Sequence, residues 1–296
     1  MILITGATGF LGGHIVKNIA EKRNDIRILA VDYENAKMMY PNFEVVRGDI
    51  VTKDGLEEAC KDVDTVVHLA GMVSYSASKK LISMINYEGT KNLLEACVRA
   101  GRFIFSSSVS VYGEIKPGDI ADEEYQRNPM NPYGLSKLEA EEEIINSGIP
   151  YVIFRIAPVY GRGSPQWMKN LGMLEKGFPI PKTENMTHIV HVSNLAHAFG
   201  QSLRGDTGIF NIADPKPVKF VDLAESLVTL LGKKPRRLPV WMVKAFAFAL
   251  RKEKYIDVLT MNRNYDITRA MKKLDYMPDD NMSQWLKEMV EWYRTR

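Results

Sequence analysis

Short apolar runs alternate with amphipathic stretches of helical periodicity along the first half of the chain. This pattern predicts strands at residues 2–4, 26–31, 43–46, 65–69, 103–105 and 151–155, and helices at 10–21, 79–99 and 133–146. Strands that are apolar on both faces are typical of a parallel sheet that helices cover on both sides. The sequence therefore predicts an α/β protein with a Rossmann-type, doubly wound parallel sheet.

The second half of the chain has a looser pattern, because proline and glycine interrupt it repeatedly after residue 156. Helices are predicted there at 193–203, 221–231, 240–250 and 284–293. We expect a Rossmann domain over residues 1–155, with parts of 188–212 completing its sheet. Residues 156–187 and 213–296 would form a smaller, mostly helical region that binds substrate.

Composition narrows the class of protein. The chain has 296 residues and a formal net charge of +3, which argues against a nucleic-acid-binding surface. Its two cysteines, Cys60 and Cys97, form no CxxC motif, so we expect neither a disulfide framework nor a structural zinc site. Because His188, His191 and His197 have no carboxylate or cysteine to complete a set, we expect packing residues there and no metal.

One late segment, residues 241–250, is strongly apolar and lies between basic residues at 236–237 and 251–254. It is too short to span a bilayer. Three interpretations stay open: a helix facing the core, a lid over an apolar substrate, or a helix lying in a membrane interface. We see no secretory signal, and we expect a cytoplasmic protein without an integral membrane segment.

A glycine-rich turn with the spacing GxxGxxG connects the first strand to the first helix. Gly6 allows the tight turn, Gly9 lets the backbone approach a pyrophosphate, and Gly12 permits close packing of helix and strand. The helix N-terminus adds free N–H groups and a positive dipole end. We predict that this turn binds a dinucleotide through Gly6, Thr8, Gly9, Phe10, Leu11 and Gly12.

Acidic residues at two later strand ends bear on the choice of cofactor. Asp32 lies twenty residues after Gly12, where a carboxylate binds the adenosine ribose and repels a 2′-phosphate. This position favours NAD over NADP. Asp49 and Ile50 end the third strand and could meet the adenine edge, although Asp49 could equally be a turn residue.

A tyrosine and a lysine lie four residues apart at the start of a predicted helix, so both side chains share one face. The ammonium of Lys137 can lower the pKa of Tyr133, which then works as an acid or base on a substrate hydroxyl. Ser106 and Ser108 end the preceding strand, where a hydroxyl could hold the substrate oxygen beside the tyrosine.

Taken together, the chain resembles the extended short-chain dehydrogenase/reductase family of NAD-dependent epimerases and dehydratases over nearly its whole length. The resemblance is carried by TGATGFLG, GDI at 48–50, HLAG at 68–71, NYEGT at 86–90, SSSVSVYG at 106–113, YGLSK at 133–137 and RIAPVYG at 155–161. It implies that Tyr133 is the catalytic acid/base, that Lys137 holds the nicotinamide ribose, and that Ser108 is the catalytic hydroxyl.

The resemblance also implies the surroundings of these groups. Further cofactor-lining positions are Leu69, Ala70, Gly71, Asn86, Ser106 and Pro158. We predict that a small-molecule substrate contacts Val73, Ser108, Val109, Trp167 and His191. Family members commonly dimerise through two helices per subunit, which implies a homodimer through the helices near 84–99 and 134–147.

Residues at a few other positions bear on the branch of the family. No carboxylic acid follows Ser108, which argues against a dehydratase. Nucleotide-sugar epimerases carry an asparagine and an arginine for the pyrophosphate where this chain has Pro158 and Thr187, although Arg162 or Lys169 could substitute.

Segments 191–198, 210–220, 238–241 and 265–278 are instead similar to the 3β-hydroxysteroid dehydrogenase-like branch. We therefore expect an enzyme that interconverts a secondary alcohol and a ketone on a small, fairly apolar substrate with NAD. The alternative is a nucleotide-sugar 4-epimerase with retained NAD. A non-catalytic NAD sensor is a third possibility, which the intact Ser108, Tyr133 and Lys137 disfavour.

Overall fold

The computed structural model of the protein describes residues 1–74, 77–249, 256 and 259–296. The predicted basic flank at 251–254 and the last residue of the predicted helix 240–250 lie outside these residues.

Seven parallel strands form the central sheet of the described chain. In spatial order they are β3 (Glu44–Arg47), β2 (Ile26–Ala30), β1 (Ile2–Thr5), β4 (Thr65–His68), β5 (Arg102–Ser108), β6 (Tyr151–Ile156) and β11 (Gly208–Ile212). The strand order reverses between β1 and β4, which opens a crevice above their carboxyl ends. The predicted doubly wound α/β fold is confirmed.

Helices cover this sheet on both faces. Those of the first half are α1 (Phe10–Ala20), α2 (Tyr33–Met39), α3 (Leu56–Cys60), α4 (Lys79–Ser83), α5 (Gly89–Ala96) and α6 (Pro132–Asn146). The short helices α2 and α3 were not predicted. The predicted helix 79–99 is interrupted, because a π-helical turn at Met84–Glu88 separates α4 from α5, and it ends at Ala96.

The second half adds helices and short strand pairs at the carboxyl side of the sheet. The helices are α7 (Pro165–Glu175), α8 (Val192–Ser202), α9 (Phe220–Leu230), α10 (Val240–Ala249), α11 (Thr268–Leu274) and α12 (Met282–Arg294). The short strands are β7 (Val159–Tyr160), β8 (Ile180–Lys182), β9 (Met186–Thr187), β10 (Val190–His191), β12 (Val218–Lys219) and β13 (Arg237–Pro239). They pair as β10 with β7, β12 with β9, and β13 with β8. The sequence analysis did not predict α7 or α11.

Strand β11 extends the sheet beside β6, with Ile209 opposite Ile153. The chain thus returns to the sheet after the loop-rich segment that follows β6. Part of 188–212 does complete the sheet, while the division into two domains stays a prediction.

The core lies in two layers, one on each face of the sheet. Along β1, Ile2 and Ile4 pack in one layer, and Leu3 packs in the other. Successive side chains of a strand point to opposite faces, so a strand buried on both sides is mostly apolar. Each such fully buried side chain contributes about 1.5–3 kcal/mol to folding.

The two cysteines correct one expectation. Cys60 ends α3, Cys97 follows α5, and the two form a disulfide with a Cα–Cα distance of 5.1 Å. They are 37 residues apart, so no short sequence motif predicts the pair. Packing of α3 against α5 brings them together. The exclusion of disulfides is therefore wrong for this pair.

Candidate active site

The glycine-rich turn has the shape of a phosphate-binding cradle. Gly6 adopts a φ of 71°, in the left-handed region that favours glycine. A Cβ at Gly6 would also lie 2.5 Å from the backbone nitrogen of Ala70. A Cβ at Gly12 would overlap the carbonyl oxygens of Gly6 and Ala7. The N-terminus of α1, at Gly9, has no side-chain cap, which leaves its N–H groups available to an anion.

Lys137 is held in a tight, water-excluding environment. Its side chain is about 4% exposed, and its Nζ donates a 2.8 Å hydrogen bond to the carbonyl oxygen of Ser106. The ammonium also lies 4.5 Å from the centroid of the Phe105 ring. Burial lowers the pKa of Lys137 to about 8, and the negative charge of Glu141 opposes this shift. At neutral pH Lys137 is therefore a mostly charged ammonium that loses its proton under mildly alkaline conditions.

The start of α6 fixes the tyrosine and lysine relative to each other. Asn131 caps the helix by accepting a 2.8 Å hydrogen bond from the backbone N–H of Gly134, and Pro132 occupies the first helical position. Tyr133 and Lys137 follow at one-turn spacing and line the same cavity. The predicted pair is thus brought together on one helix face.

Ser108 joins this pair from the end of β5. Its Oγ accepts a 3.1 Å hydrogen bond from the backbone N–H of Ser110 and lies 3.1 Å from the Ser110 hydroxyl. Ser108 lines the cavity together with Tyr133 and Lys137. A substrate oxygen in this cavity could therefore meet a hydroxyl donor and a phenol at once.

The cavity has a volume of about 530 Å³ and opens above the carboxyl ends of the central strands. It gathers most of the predicted site residues. Those in its wall are Gly6, Gly9, Phe10, Leu11, Gly12, Leu69, Gly71, Val73, Ser106, Ser108, Val109, Tyr133, Lys137, Pro158 and Trp167. The predicted cofactor and substrate positions therefore share one continuous space.

Predicted residues at the adenosine end lie outside the cavity wall. Asp32 follows β2 and caps α2, where its carboxylate accepts a 3.2 Å hydrogen bond from the backbone N–H of Asn35. Asp49 accepts a 2.8 Å hydrogen bond from the backbone N–H of Val51, as a turn aspartate does. The side chain of Ile50 is buried in the core. Of these three residues, Asp32 and Asp49 have a polar side chain that could bind adenosine.

Three further predicted cofactor residues also lie outside the cavity wall. The backbone N–H of Ala70 donates to Thr5 Oγ1 at 3.2 Å, and Thr8 lies within the glycine turn. Asn86 is buried, and its Oδ1 accepts from the backbone N–H of Met72 at 2.7 Å. A Cβ at Gly71 would lie 3.2 Å from Asn86 Oδ1, so Asn86 shapes the backbone that borders the cavity.

His191 is placed differently from the sequence interpretation. Its ring stacks on Trp285 with the centroids 3.9 Å apart, and its Nδ1 accepts from the backbone N–H of Ser193 at 3.3 Å. The backbone N–H of His191 donates a 2.9 Å hydrogen bond to the buried carboxylate of Asp214. His191 thus packs against Trp285 and is not among the residues of the cavity wall, and its contact with substrate stays a prediction.

Sequence reasoning missed a basic residue in the cavity wall, Arg263, and named Lys169 only as a possible substitute. Both lie there, whereas the exposed Arg162 does not. Arg263 is 130 residues from Tyr133 along the chain, so no local spacing could link them. Its backbone N–H donates to the carbonyl oxygen of Met186 in β9 at 2.9 Å, which fixes this late segment against the cavity.

Other residues of the wall come from the same loops and carry no motif. They are Ser107, Ser110, Gly113, Met130, Asn131, Ile156, Ala157, Val159, Ser164, Pro165, Gln166, Met261 and Tyr265. Within the described ranges, no three His, Cys, Asp or Glu side chains converge as a metal site would require. No helix in the described part of the chain is long and apolar enough to cross a bilayer.

The sequence of residues 2–213 matches the NAD dependent epimerase/dehydratase family. The chain belongs to this family. It is accordingly an NAD-dependent enzyme, and the predicted cofactor and family are confirmed. The assignment to the 3β-hydroxysteroid dehydrogenase-like branch stays a prediction.

Members of the family with different activities are similar to this chain. The UDP-glucose 4-epimerase of Vibrio cholerae is 30% identical, with 98% of this chain and 94% of that protein covered. The sterol-4-alpha-carboxylate 3-dehydrogenase, decarboxylating, of Mus musculus is 28% identical, with 83% and 74% covered. The structure of Thermotoga maritima UDP-glucose 4-epimerase with UDP-glucose superposes with a TM-score of 0.82 at 23% identity, covering 99% and 98% of the chains. This last likeness shows a common fold.

Proposed function

We propose that this enzyme is a nucleotide-sugar 4-epimerase, which oxidises one secondary alcohol carbon of its substrate and then reduces it again. The carrying observation is that Lys169 and Arg263 lie in the same cavity wall as Tyr133 and Ser108. A pyrophosphate would pair with both cations through charge-assisted hydrogen bonds.

The residues of the glycine turn fit the cofactor. The cradle at Gly6, Gly9 and Gly12 would hold the pyrophosphate of NAD, because side chains at Gly6 and Gly12 would fill that space. Asp32 would bind the adenosine ribose and Lys137 the nicotinamide ribose. When bound, NAD supplies the hydrogen acceptor and donor for the reacting carbon.

Proton movement falls to the chain's own side chains. Tyr133, as a phenolate beside the Lys137 ammonium, takes the proton from the substrate hydroxyl. The hydroxyl of Ser108 donates a hydrogen bond to the same oxygen and orients it. Tyr133 returns the proton when the carbon is reduced from the other side, so an epimerase turnover releases no net NADH.

A second candidate is the dehydrogenation of an apolar secondary alcohol that carries one acidic group. The wall around the site is rich in apolar side chains, among them Val109, Met130, Trp167 and Met261. Pro158 and Thr187 replace two polar groups that nucleotide-sugar epimerases use. A carboxylate could pair with one of the two cations while the rest of the substrate contacts this apolar surface.

The two candidates separate in a binding and product assay. The NAD-loaded protein is titrated with UDP, UDP-glucose and a panel of hydroxysteroids and their carboxylates, following the melting temperature. UDP-glucose should raise the melting temperature and be converted to its 4-epimer, detected by NMR, without absorbance from net NADH. Tyr133→Phe should abolish conversion and keep the binding.

A matched pair of arginine variants tests the carrying observation. Arg263→Gln should weaken UDP binding by about 1.5–3 kcal/mol, since it removes a charged partner. Arg162→Gln, an exposed arginine outside the cavity, should leave binding unchanged. Stabilisation and net NADH with hydroxysteroids alone, and no response to UDP, would overturn the epimerase proposal in favour of the second candidate.

We also propose that the chain forms a homodimer through the helices near 84–99 and 134–147. Met84 leaves apolar surface exposed in the first of these segments, and Ile145 does so on α6. Light scattering of the purified protein tests this, and the mass of one chain would refute it.

A further inference from the structure

Helix α10 has two unlike faces. Val243 and Ala247 are fully buried and form a small cluster with Phe178, Leu238 and Leu259. This contact anchors the helix to the rest of the protein. The sequence interpretation of a helix that faces the core is therefore correct for one side of α10 only.

The opposite face of α10 presents large aromatic side chains to solvent. Trp241 is 70% exposed and Phe248 is 71% exposed. They are seven residues apart, two helical turns, so they project from one side of the helix. Single exposed apolar residues are ordinary, but two aromatic rings on one helical face mark an interaction surface.

The sequence of α10 and of the segment just before it is basic. Residues 232–249 contain five Lys and Arg residues and no Asp or Glu. Lys233, Lys234 and Arg236 are exposed immediately before β13, and Lys244 is exposed between the two aromatic rings on α10. Arg237 pairs with Glu225, so it is not counted among the charges of the surface.

We propose that this surface, formed by Trp241 and Phe248 with Lys233, Lys234 and Arg236, docks onto an anionic lipid membrane. Indole and phenyl rings enter the boundary between headgroups and acyl chains, and the basic side chains pair with lipid phosphates. Charge complementarity selects this occupant. A second copy of the chain would bring the same positive charges face to face, which is unfavourable.

Docking at α10 would place the cavity close to the lipid. Leu259 packs beneath α10, and Met261, two residues further along the chain, already lines the cavity. Asn185 Nδ2 donates to the carbonyl oxygens of both residues, at 3.1 and 2.8 Å. A short, hydrogen-bonded segment thus connects the membrane-facing helix to the site. The proposal does not depend on the substrate.

Vesicle co-sedimentation of the full chain tests the proposal. The protein is mixed with vesicles of phosphatidylcholine alone or with phosphatidylserine, at low and high salt. We expect it to pellet with the phosphatidylserine vesicles at low salt, to pellet less at high salt, and to stay in the supernatant with phosphatidylcholine alone. Failure to pellet with anionic vesicles at low salt would overturn the proposal.

Two matched pairs of variants locate the surface. Trp241→Ser with Phe248→Ser should weaken vesicle binding by about tenfold or more, whereas Met38→Ser with Met277→Ser, at exposed apolar positions elsewhere, should not. Replacing Lys233, Lys234 and Arg236 with Gln should act similarly, and replacing the exposed Lys61, Lys116 and Lys176 with Gln should not. Melting curves and NAD binding confirm that each variant is folded.

Two further outcomes would contradict membrane docking by this surface. Vesicle binding that survives the Trp241 and Phe248 substitutions would overturn the proposal, because another part of the chain would then bind lipid. Self-association in light scattering that these substitutions abolish, without vesicle binding, would show that a second copy covers the face.

Discussion

The guanidinium of Arg155 and the carboxylate of Glu141 form an ion pair that is sealed from water. Their side chains are 1% and 0% exposed, and Nη2 lies 2.8 Å from Oε2. Arg155 also donates to the hydroxyl of Tyr112 at 3.0 Å and to the carbonyl oxygen of Glu123 at 2.8 Å. The pair connects β6 to α6, one helical turn after Lys137. It therefore fixes the catalytic helix against the sheet and places a negative charge behind the lysine.

Removing the acid from this pair should damage both stability and the pH profile. Glu141→Gln leaves the Arg155 charge buried without its partner, which costs about 3–5 kcal/mol. Because Glu141 raises the pKa of Lys137, its loss should also move the alkaline limb of the activity profile to lower pH. Denaturant unfolding and pH–rate curves measure the two effects.

An exposed ion pair provides the control for this variant. Lys219 and Glu184 lie 2.7 Å apart with side chains 51% and 84% exposed. Glu184→Gln should change the free energy of unfolding by no more than about 1 kcal/mol. An equal effect of both variants would contradict the importance of burial.

Lys137 should be necessary for activity, and its buried charge should lower the free energy of unfolding at neutral pH. Its pKa in the folded protein, about 8, lies below the ordinary lysine value of 10.5. The folded state therefore binds fewer protons than the unfolded state between these values, and stability rises with pH across that window. The other titratable neighbours are His68, whose pKa burial lowers to about 3, with Tyr133 and Glu141.

Lys137→Met should accordingly lose activity by orders of magnitude and gain about 1–3 kcal/mol of stability at pH 7. The gain should disappear as the pH rises through the window from 8 to 10.5. Unfolding curves at several pH values, compared with the wild type, measure this. A variant that is less stable at pH 7 would show that the ammonium stabilises the fold.

Two adjacent glycines of α1 give a clean test of the cofactor cradle. A Cβ at Gly12 would overlap the carbonyl oxygens of Gly6 and Ala7, whereas a Cβ at Gly13 meets nothing within 4 Å. Gly12→Ala should lower both stability and NAD affinity. Gly13→Ala should keep NAD affinity and gain up to about 1 kcal/mol of stability, because alanine favours a helix. Melting temperatures and NAD titrations of both variants measure these effects, and equal NAD affinities would contradict the role of Gly12 in the cradle.

The parts of the site that were predictable from sequence lie where chemistry and local spacing coincide. Gly6, Gly9 and Gly12 form a turn, and Tyr133 and Lys137 share one helix face, so short-range geometry alone relates them. The sheet was predictable because its strands are short, mostly apolar runs that alternate with helices.

The remaining features depend on contacts between distant segments. Arg263 reaches the cavity because contacts with distant segments, β9 among them, hold it there, and no periodicity in the sequence encodes those contacts. His191 was predicted to contact substrate, because the sequence does not reveal that its ring stacks on Trp285. Helices α7 and α11 follow proline-rich or polar stretches, and their own hydrophobic pattern is too short to predict a helix.

The disulfide is the clearest such case, and it leads to a final prediction. Cys60 and Cys97 close a segment of 37 residues, so the chain-entropy account assigns the bridge about 2–4 kcal/mol. The native protein should resist thiol labelling until it is reduced, and reduction should lower its melting temperature by several degrees. Cys60→Ser supplies the control, because its melting temperature should not respond to reductant. Rapid labelling of both cysteines in the folded, unreduced protein would show that the bridge does not form.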